Sequence, residues 1–193
     1  MPRDKQFNVD EALTQAMHAF WAHGYEATSM QELVDCMGIN RGSIYATFGD
    51  KHALFIQALR HYDRHHREQW LSALAAANEP KAAVLAAFDG AIEATLAQKN
   101  SDGCFLVNVA LELSPHDGQV AEIVAAGLCE TEDFFRRMIT AGQQSGSIRA
   151  DIDAASTASA LLGLFTGLRV LSRSRPEKPL LTALADQAAA MLA

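Results

Sequence analysis

Residues 28–51 of the chain read TSMQELVDCMGINRGSIYATFGDK, the pattern of two short helices joined by a tight turn. Ser29 is a helix-capping residue, and Glu32 is placed to close the cap reciprocally. Gly38 suits the left-handed conformation that ends a helix, and Asn40 is placed to cap the next one. This spacing predicts a helix-turn-helix, whose second helix enters the DNA major groove. Its outward side chains here are those of Arg41, Ser43, Tyr45 and Thr47.

Length and cysteine content bound the class of protein. The chain has 193 residues, enough for one ordinary domain or for a small domain fused to a larger one. Its start leads into no signal-like apolar stretch, and no later run approaches the roughly 20 apolar residues that cross a bilayer. We therefore expect a cytoplasmic protein that makes no membrane contact. The three cysteines are widely spaced, which predicts reduced thiols, and we expect no metal and no cofactor.

The net charge of -7 is distributed unevenly. Residues 1–67 hold seven Lys and Arg against eight Asp and Glu, whereas residues 68–193 hold nine against fifteen. A phosphate binder usually presents a basic face, so the acidic total argues superficially against nucleic acid. Because most of the excess acid lies after residue 67, where only one of the seven histidines is found, modest and salt-sensitive DNA binding stays plausible.

Apolar residues recur at helical spacing along the chain, and strand alternation is absent. Caps, prolines and glycines divide this pattern into about nine helices. Besides the two in residues 28–49, they are predicted at 8–24, at 51–77, at 80–100, at 104–113, from Ser114-Pro115 to 142–146, at 154–172 behind Asp151 or Asp153, and after Pro179.

These helices predict an all-α fold in two parts. Residues 1–50 would form a helix-turn-helix DNA-binding domain, and residues 51–193 a helical bundle for ligand binding and dimerisation. The segment 154–172 has almost no polar face, and a helix that is apolar all round must be buried on every side. One chain has too little other material to bury both this segment and the last helix. We therefore expect the final two helices to form the interface of a symmetric homodimer.

The first 60 residues resemble the TetR family of transcriptional regulators. Like residues stand at the positions of that family's signature, among them Phe20, Gly24, Tyr25, Thr28, Ser29, Leu33, Gly38, Ile39, Gly42, Ser43, Ile44, Tyr45, Phe48, Lys51 and Leu54. The resemblance implies that Arg41, Gly42 and Ser43 approach base edges. It implies that Thr28, Tyr45 and Thr47 bind phosphates, with Ser29 in the same DNA-binding set.

Lys51 is implied to meet a phosphate at the start of a helix. Elementary electrostatics agrees, because a helix N-terminus offers free amides and partial positive charge, and a lysine adds a point charge. Ala46 stands where the family often has a bulkier residue, so the readout of base sequence is a separate question from DNA binding.

Residues 103–108, GCFLVN, resemble the start of a helix in regulators of the NemR kind and in acrylate-responsive ones, several of which sense electrophiles or oxidants with a cysteine. Cys104 is therefore a candidate sensor, and a helix N-terminus favours its thiolate. The alternative is an inert, buried Cys104. Candidate basic partners are Arg169, Arg173 and Lys99. Candidate pocket aromatics are Phe88, Phe105, Phe134, Phe165 and Trp70, although such residues more often form a core.

The remaining cysteines and the histidine cluster are expected to have structural rather than chemical roles. Cys36 and Cys129 are expected to be inert, apolar-packed thiols. His61, His65 and His66 lie at helical spacing, but no acidic or cysteine partner is evident nearby, so a solvated face is expected rather than a metal site.

Together these features predict a dimeric repressor that binds a palindromic double-stranded operator. Its two recognition helices would lie about one DNA turn, roughly 34 Å, apart. A small-molecule effector, or an electrophile that modifies a cysteine, would release it. One alternative is a helical adaptor that binds protein alone. The other, an enzyme with Cys104 as nucleophile, is disfavoured because no histidine and acid lie at a recognisable spacing from it.

Overall fold

The computed structural model describes residues 7–97 and 102–193, and within them it contains ten α-helices and no strand. The helices are α1 (Val9–His23), α2 (Met30–Met37), α3 (Arg41–Phe48), α4 (Lys51–Tyr62), α5 (Gln69–Ala77), α6 (Pro80–Ala97), α7 (Phe105–Glu112), α8 (Gly118–Ser145), α9 (Ala154–Ser174) and α10 (Lys178–Met191). A π-helical turn, Asp63–Glu68, joins α4 to α5. Residues 51–77 therefore form one continuous rod, and the all-α prediction is confirmed.

Capping residues set the helix ends around the predicted turn. Asn40 accepts a hydrogen bond from the Ser43 amide at 2.9 Å, and Asp50 accepts one from the Ala53 amide at 2.7 Å. Gly38 ends α2 at φ 66° and ψ 21°, in the left-handed region that glycine adopts without a steric penalty. The helix-turn-helix therefore begins and ends where the sequence predicts.

The predicted start of the second long helix is wrong. Ser114 and Pro115 lie in a turn, and α8 begins at Gly118. Asp117 caps it, because its carboxylate accepts hydrogen bonds from two first-turn amides at 3.0 and 3.1 Å. A carboxylate that satisfies two free amides also complements the helix dipole, and the serine does neither.

Two further caps refine the predictions. The Ser29 hydroxyl accepts from the Glu32 amide at 3.1 Å, but the Glu32 carboxylate contacts His23 Nδ1, so the reciprocal half of the capping box is not formed. Of the two candidates before α9, Asp153 is the cap, while Asp151 pairs with Arg149.

The buried side chains form two clusters. The first lies among α1–α4 and extends to α7 and α8 through Phe105 and Val120. The second lies among α6, α8, α9 and α10 and includes Phe88, Phe134 and Leu161. The first cluster therefore joins the N-terminal helices to the bundle.

Helix α9 departs most from the sequence prediction. Among the described residues it is the one helix whose length and composition would suffice to cross a membrane, although the sequence analysis expected no such stretch. Only 17% of its most apolar 18-residue window is buried within the single chain, so the predicted burial on every side depends on the second copy expected at this helix. Its buried side packs on α8 and α10 through Leu161 and Leu168. The opposite side, with Gly163 and Val170, is exposed in the single chain.

Candidate nucleic-acid interface and effector cavity

Helix α3 is held to the molecule by one side only. Ile44 is fully buried and Phe48 is 4% exposed, and both belong to the first core cluster. The opposite side carries the exposed residues Arg41, Gly42, Tyr45 and Ala46, and Ser43 and Thr47 are partly exposed. The recognition helix therefore presents its predicted outward residues to solvent.

Arg41 and Tyr45 form one exposed ridge on α3. The Arg41 guanidinium donates to the Tyr45 hydroxyl at 3.5 Å, and its central carbon lies 5.8 Å from the centre of the ring. The guanidinium keeps further N–H groups for acceptors such as guanine O6 and N7. A Cβ on Gly42 would lie 3.3 Å from the Asn40 side chain that caps the helix, so glycine keeps that cap uncrowded.

Lys51 is the first residue of α4, and its ammonium lies 4.4 Å from the centre of the Tyr25 ring. This cation–π contact holds the charge near the start of the helix. The amide of Ala53 is already bonded to Asp50, so it is not available to a phosphate. The Lys51 ammonium therefore adds its charge to a helix start at which one of the first-turn amides is already used.

The structure does not support the phosphate role implied for Thr28. Its side chain is fully buried, and its hydroxyl donates to the Gly24 carbonyl at 2.6 Å. A hydroxyl whose proton is used inside the protein does not reach a phosphate, so Thr28 fixes the connection between α1 and α2. Ser29 is exposed, and because its hydroxyl acts as an acceptor in the cap, its proton is free for an external acceptor.

A cavity of about 490 Å³ lies beside the rod formed by residues 51–77, among α6, α7, α8 and α9. Its apolar wall includes Trp70, Leu71, Leu106, Val107, Leu162 and Phe165. Its polar lining includes Tyr62, His66, Cys104, Thr166 and Arg169. Apolar walls with a few polar groups are typical of small-molecule sites of this size.

Cys104, Phe165 and Trp70 line this cavity, as the sequence suggested. Phe88, Phe105 and Phe134 do not line it, and each is at most 1% exposed. Phe88 and Phe134 pack in the second core cluster, and Phe105 packs edge-on against Tyr62 with ring centres 5.6 Å apart. The expectation that Phe88 and Phe134 line the pocket is therefore wrong, because both are buried in the core. Phe105 instead borders a second cavity of about 420 Å³, among α1, α7 and α9.

Cys104 immediately precedes α7 and is partly exposed. Its sulfur lies 3.6 Å from the Tyr62 hydroxyl. Burial, and next the neighbouring Cys104, raise the pKa of Tyr62 well above its usual value, so the phenol stays protonated at neutral pH. The Arg169 guanidinium donates to the Gly103 carbonyl beside the cysteine. A thiol, a protonated phenol and a guanidinium thus meet at one end of the cavity.

Of the remaining candidate partners of Cys104, the structure describes Arg173. Arg173 is directed towards the Ala22 carbonyl, 3.4 Å away, at the end of α1. Lys99 lies outside the described residues. Tyr62 is the cavity residue that sequence reasoning missed, since its helical spacing marks it only as an inward side chain.

The other two cysteines differ from each other. The Cys36 thiol is partly buried and donates to the Leu33 carbonyl at 3.5 Å, and burial raises the pKa of Cys36, which disfavours its thiolate. Cys129 is exposed, whereas packing among apolar neighbours was expected. It falls on the outer face of α8, away from the buried positions Gly127 and Thr131.

Besides the contact of Cys104 with Tyr62, the segment that carries Cys104 is tied to the N-terminal part of the chain at three points. These are Trp21 Nε1 to the Asp102 carbonyl at 3.1 Å, the Glu26 amide to Glu112 Oε1 at 3.1 Å, and His52 Nε2 with Asp117 Oδ2 at 2.5 Å. The hydrogen bond from His52 is the main cause that lowers the pKa of Asp117. A displacement of residues 102–117 would therefore act directly on α1 and α4.

The π-helical turn forms part of the cavity wall. Arg67, only 9% exposed, donates to Asp63 within the turn and to Glu130 on α8. A Cβ on Gly127 would lie 2.6 Å from Leu106 and 2.9 Å from Asp63, so glycine permits this close approach. Both α7, through Leu106, and the turn, through Asp63, thus approach α8 closely at Gly127.

The histidines in and beside this turn lie on a solvated face, as predicted: His65 and His66 are exposed, and His61, on α4, is partly exposed. His61 and His65 are neighbours, with ring centres 4.5 Å apart, but His66 stacks on Tyr62 at 5.5 Å and borders the cavity. Within residues 7–97 and 102–193, no group of three or more His, Cys, Asp or Glu side chains is arranged to hold a metal ion.

Comparison with known proteins connects these features to a family. Residues 12–58 match the family described as bacterial regulatory proteins, tetR family, and residues 80–185 match the tetracyclin repressor-like C-terminal domain. The transcriptional repressor ComR of Escherichia coli is 30% identical over 172 residues, which are 89% of this chain and 82% of ComR. The uncharacterized regulator YezE of Bacillus subtilis is 30% identical over 78% of both chains.

Solved structures show the same likeness. A cysteine-substituted CifR, a TetR family regulator complexed with 26-bp double-strand operator DNA, superposes with a TM-score of 0.85 at 30% identity, over 97% of this chain and 98% of CifR. Reduced NemR of E. coli shares the fold alone, with a TM-score of 0.82 at 17% identity over 95% and 96% of the two chains. The family consists of DNA-binding regulators rather than enzymes. Since both of its domains match in order along the chain, the protein belongs to the TetR family of transcriptional regulators.

Proposed function

We propose that the protein is a cytoplasmic homodimeric repressor that leaves its operator when a small molecule or electrophile acts in the cavity. The observation that carries this proposal is the exposed face of α3 on a chain of this family. Residues 1–50 would serve as the DNA-binding domain and residues 51–193 as the ligand-binding and dimerisation domain.

At the DNA, Arg41, Gly42 and Ser43 would approach base edges, while Tyr45, Thr47 and Lys51 would contact phosphates. The exposure of α3 and the Lys51 ammonium beside Tyr25 support these roles. Ser29 has a free hydroxyl proton for a phosphate oxygen. Thr28 is left out of the proposed contacts, because its hydroxyl is buried and bonded internally.

The homodimer would form through α9 and α10. The open side of α9 combines apolar and small residues, and a helix of this composition is stable in water only when that side is covered. A second copy covers the same surface by two-fold symmetry. It would also set the two α3 helices about one DNA turn apart.

The effector would act through Cys104. Its sulfur faces a phenol in a cavity of ligand size, and the flanking residues 102–117 are bonded to α1 and α4. A group added to the sulfur occupies space in the cavity and displaces this segment. The effect on DNA binding requires that the modified state favour the DNA-incompetent arrangement.

Fluorescence anisotropy with a duplex from the upstream region of the protein's own gene, carrying its inverted repeats, tests both halves of the proposal. We expect low-salt binding by the unmodified protein and a loss of affinity after treatment with N-ethylmaleimide. Cys36→Ser and Cys129→Ser should be present throughout, since Cys129 is exposed. In this background the Cys104→Ser variant should bind DNA, and its affinity should not change after treatment with N-ethylmaleimide. An equal response with and without Cys104 removes the cysteine from the mechanism, and failure to bind any such duplex favours the protein-binding adaptor.

A further inference from the structure

Arg169 has no carboxylate partner among the described residues, unlike four other arginines of the bundle. Arg67, Arg136, Arg149 and Arg175 each contact a carboxylate. Arg169 is partly buried at the cavity, and among the described residues its hydrogen bond goes to the neutral carbonyl of Gly103 and no carboxylate pairs with it. A guanidinium has five N–H donors, so this contact leaves donors over.

The rest of the cavity lining does not balance this charge. No Asp or Glu is found among the described residues that line it. The one other arginine there, Arg67, is held by two carboxylates of its own, Asp63 and Glu130, and Tyr62 stays a neutral phenol. A charge withdrawn from water needs a partner, and a carboxylate matches the guanidinium with two parallel hydrogen bonds.

We infer that the effector of this cavity is a small organic anion, whose carboxylate pairs with Arg169 while its carbon skeleton lies against Leu162 and Phe165. The inference rests on the proposed function of the cavity and specifies its ligand class. Arg169 bonds to the residue before Cys104, so an anion held there brings its remaining atoms towards the sulfur. Arg169 is thus a specificity-determining residue, and Cys104 is the residue that reacts when the anion is also an electrophile.

Two maleimides that differ in charge test whether a carboxylate speeds the reaction at Cys104 independently of the intrinsic reactivity of the reagent. N-ethylmaleimide is neutral, and 3-maleimidopropionate carries a carboxylate on a similar short chain. In both, the sulfur electron pair forms a C–S bond to one alkene carbon, the C=C π bond opens, and the thiol proton ends on the neighbouring carbon. Rates at Cys104 are measured by intact-protein mass spectrometry in the Cys36→Ser, Cys129→Ser background. Each rate is divided by the rate of the same reagent with N-acetylcysteine.

We expect the normalised rate to be about tenfold higher for the carboxylate reagent, which corresponds to about 1.4 kcal/mol. Arg169→Met keeps the length of the side chain and removes its charge, and it should bring the ratio to about one. Arg173→Met is the matched control, because Arg173 lies one turn further along α9 and does not line the cavity. It should leave the ratio unchanged.

A second measurement needs no substitution at Arg169. Hexanoate should slow the reaction of N-ethylmaleimide with Cys104, whereas the neutral isostere hexanamide should not. Equal rates for the two maleimides, a preference that survives Arg169→Met, or equal protection by hexanoate and hexanamide would overturn the inference. If the rates are equal but modification still releases DNA, the proposed function stands without the anion. If the preference is found but modification leaves DNA binding intact, the anion site stands without the release mechanism.

Discussion

Replacement of Lys51 by alanine tests the placement of the DNA backbone. The substitution removes an ammonium 4.4 Å from the Tyr25 ring and leaves the Asp50 cap in place. An exposed cation–π contact contributes only about 0.5–1 kcal/mol, and alanine is a good helix former, so the fold should persist. The effect on DNA binding is therefore separable from an effect on folding.

The expected magnitude follows from counterion release. Each phosphate contact contributes about 0.9 to the slope of log K against log salt, so the loss of two contacts per dimer should flatten the slope by about 1.8. Between 0.05 and 0.2 M salt, the ratio of wild-type to Lys51→Ala affinity should then fall about twelvefold. Lys51→Arg keeps the charge and should keep the slope.

The assay is fluorescence anisotropy over a salt series, with the inverted-repeat duplex and with an unrelated duplex of equal length. The affinity of the variant for both duplexes should fall by the same factor, because a phosphate contact does not depend on the base sequence. Arg137→Ala is the control for a lost positive charge outside the interface, since Arg137 is exposed on α8. An unchanged slope, or a loss confined to the inverted repeat, refutes the contact.

Four more changes give distinct results. Arg41→Ala should lower the affinity for the inverted-repeat duplex more than the affinity for the unrelated one, as measured by competition anisotropy. The reason is that a base contact favours the correct base over a wrong one by about 1–3 kcal/mol. Phe88→Ala should lower the free energy of unfolding by about 3–5 kcal/mol, as measured by urea unfolding at fixed protein concentration, since the ring is fully buried. Gly127→Ala should destabilise by about 1–3 kcal/mol in the same assay, because its Cβ overlaps Leu106. In the folded protein the pKa of Asp117 lies below the ordinary value of 3.8. The ionised carboxylate therefore stabilises the fold fully at pH values above 3.8, and this stabilisation is lost as the pH falls through the lowered pKa. Asp117→Asn keeps a capping side chain, and its urea midpoint should fall less between pH 5 and pH 3 than that of the wild type.

Local signals explain why the helix-turn-helix was predictable. Asn40 and Asp50 each cap a helix through an amide three residues away, and Gly38 fixes the turn with its own backbone. Each of these contacts joins residues that lie only a few positions apart in the sequence, so the sequence pattern alone indicates it. The error at Ser114 has the same origin, because a capping residue before proline is a common helix start, and a stronger cap at Asp117 lay three residues further on.

The cavity depends instead on contacts distant in sequence. Tyr62 meets Cys104 across 42 positions, and Arg169 meets Gly103 across 66. Apolar periodicity shows that Phe88 and Phe165 face inward, but not which of them borders a void. The exposed side of α9 agrees with the sequence argument, which assigned its cover to a second chain because one chain has too little other material to bury it.

The size of the coupling decides whether the cavity is able to control DNA binding. Allosteric coupling of about 1–3 kcal/mol changes an affinity 5- to 150-fold. Besides the Tyr62–Cys104 contact, the segment 102–117 is joined to α1, to the turn between α1 and α2, and to α4 by three hydrogen bonds, each with a net contribution of about 0.5–1.5 kcal/mol. The loss of one or two of them in the DNA-incompetent arrangement therefore matches the coupling that release requires. A large rearrangement of the bundle core is unnecessary. A shift of the chain before α7 that breaks the bond of Trp21 to Asp102 already acts on α1, which packs on α2 and α4, the two helices that contact α3.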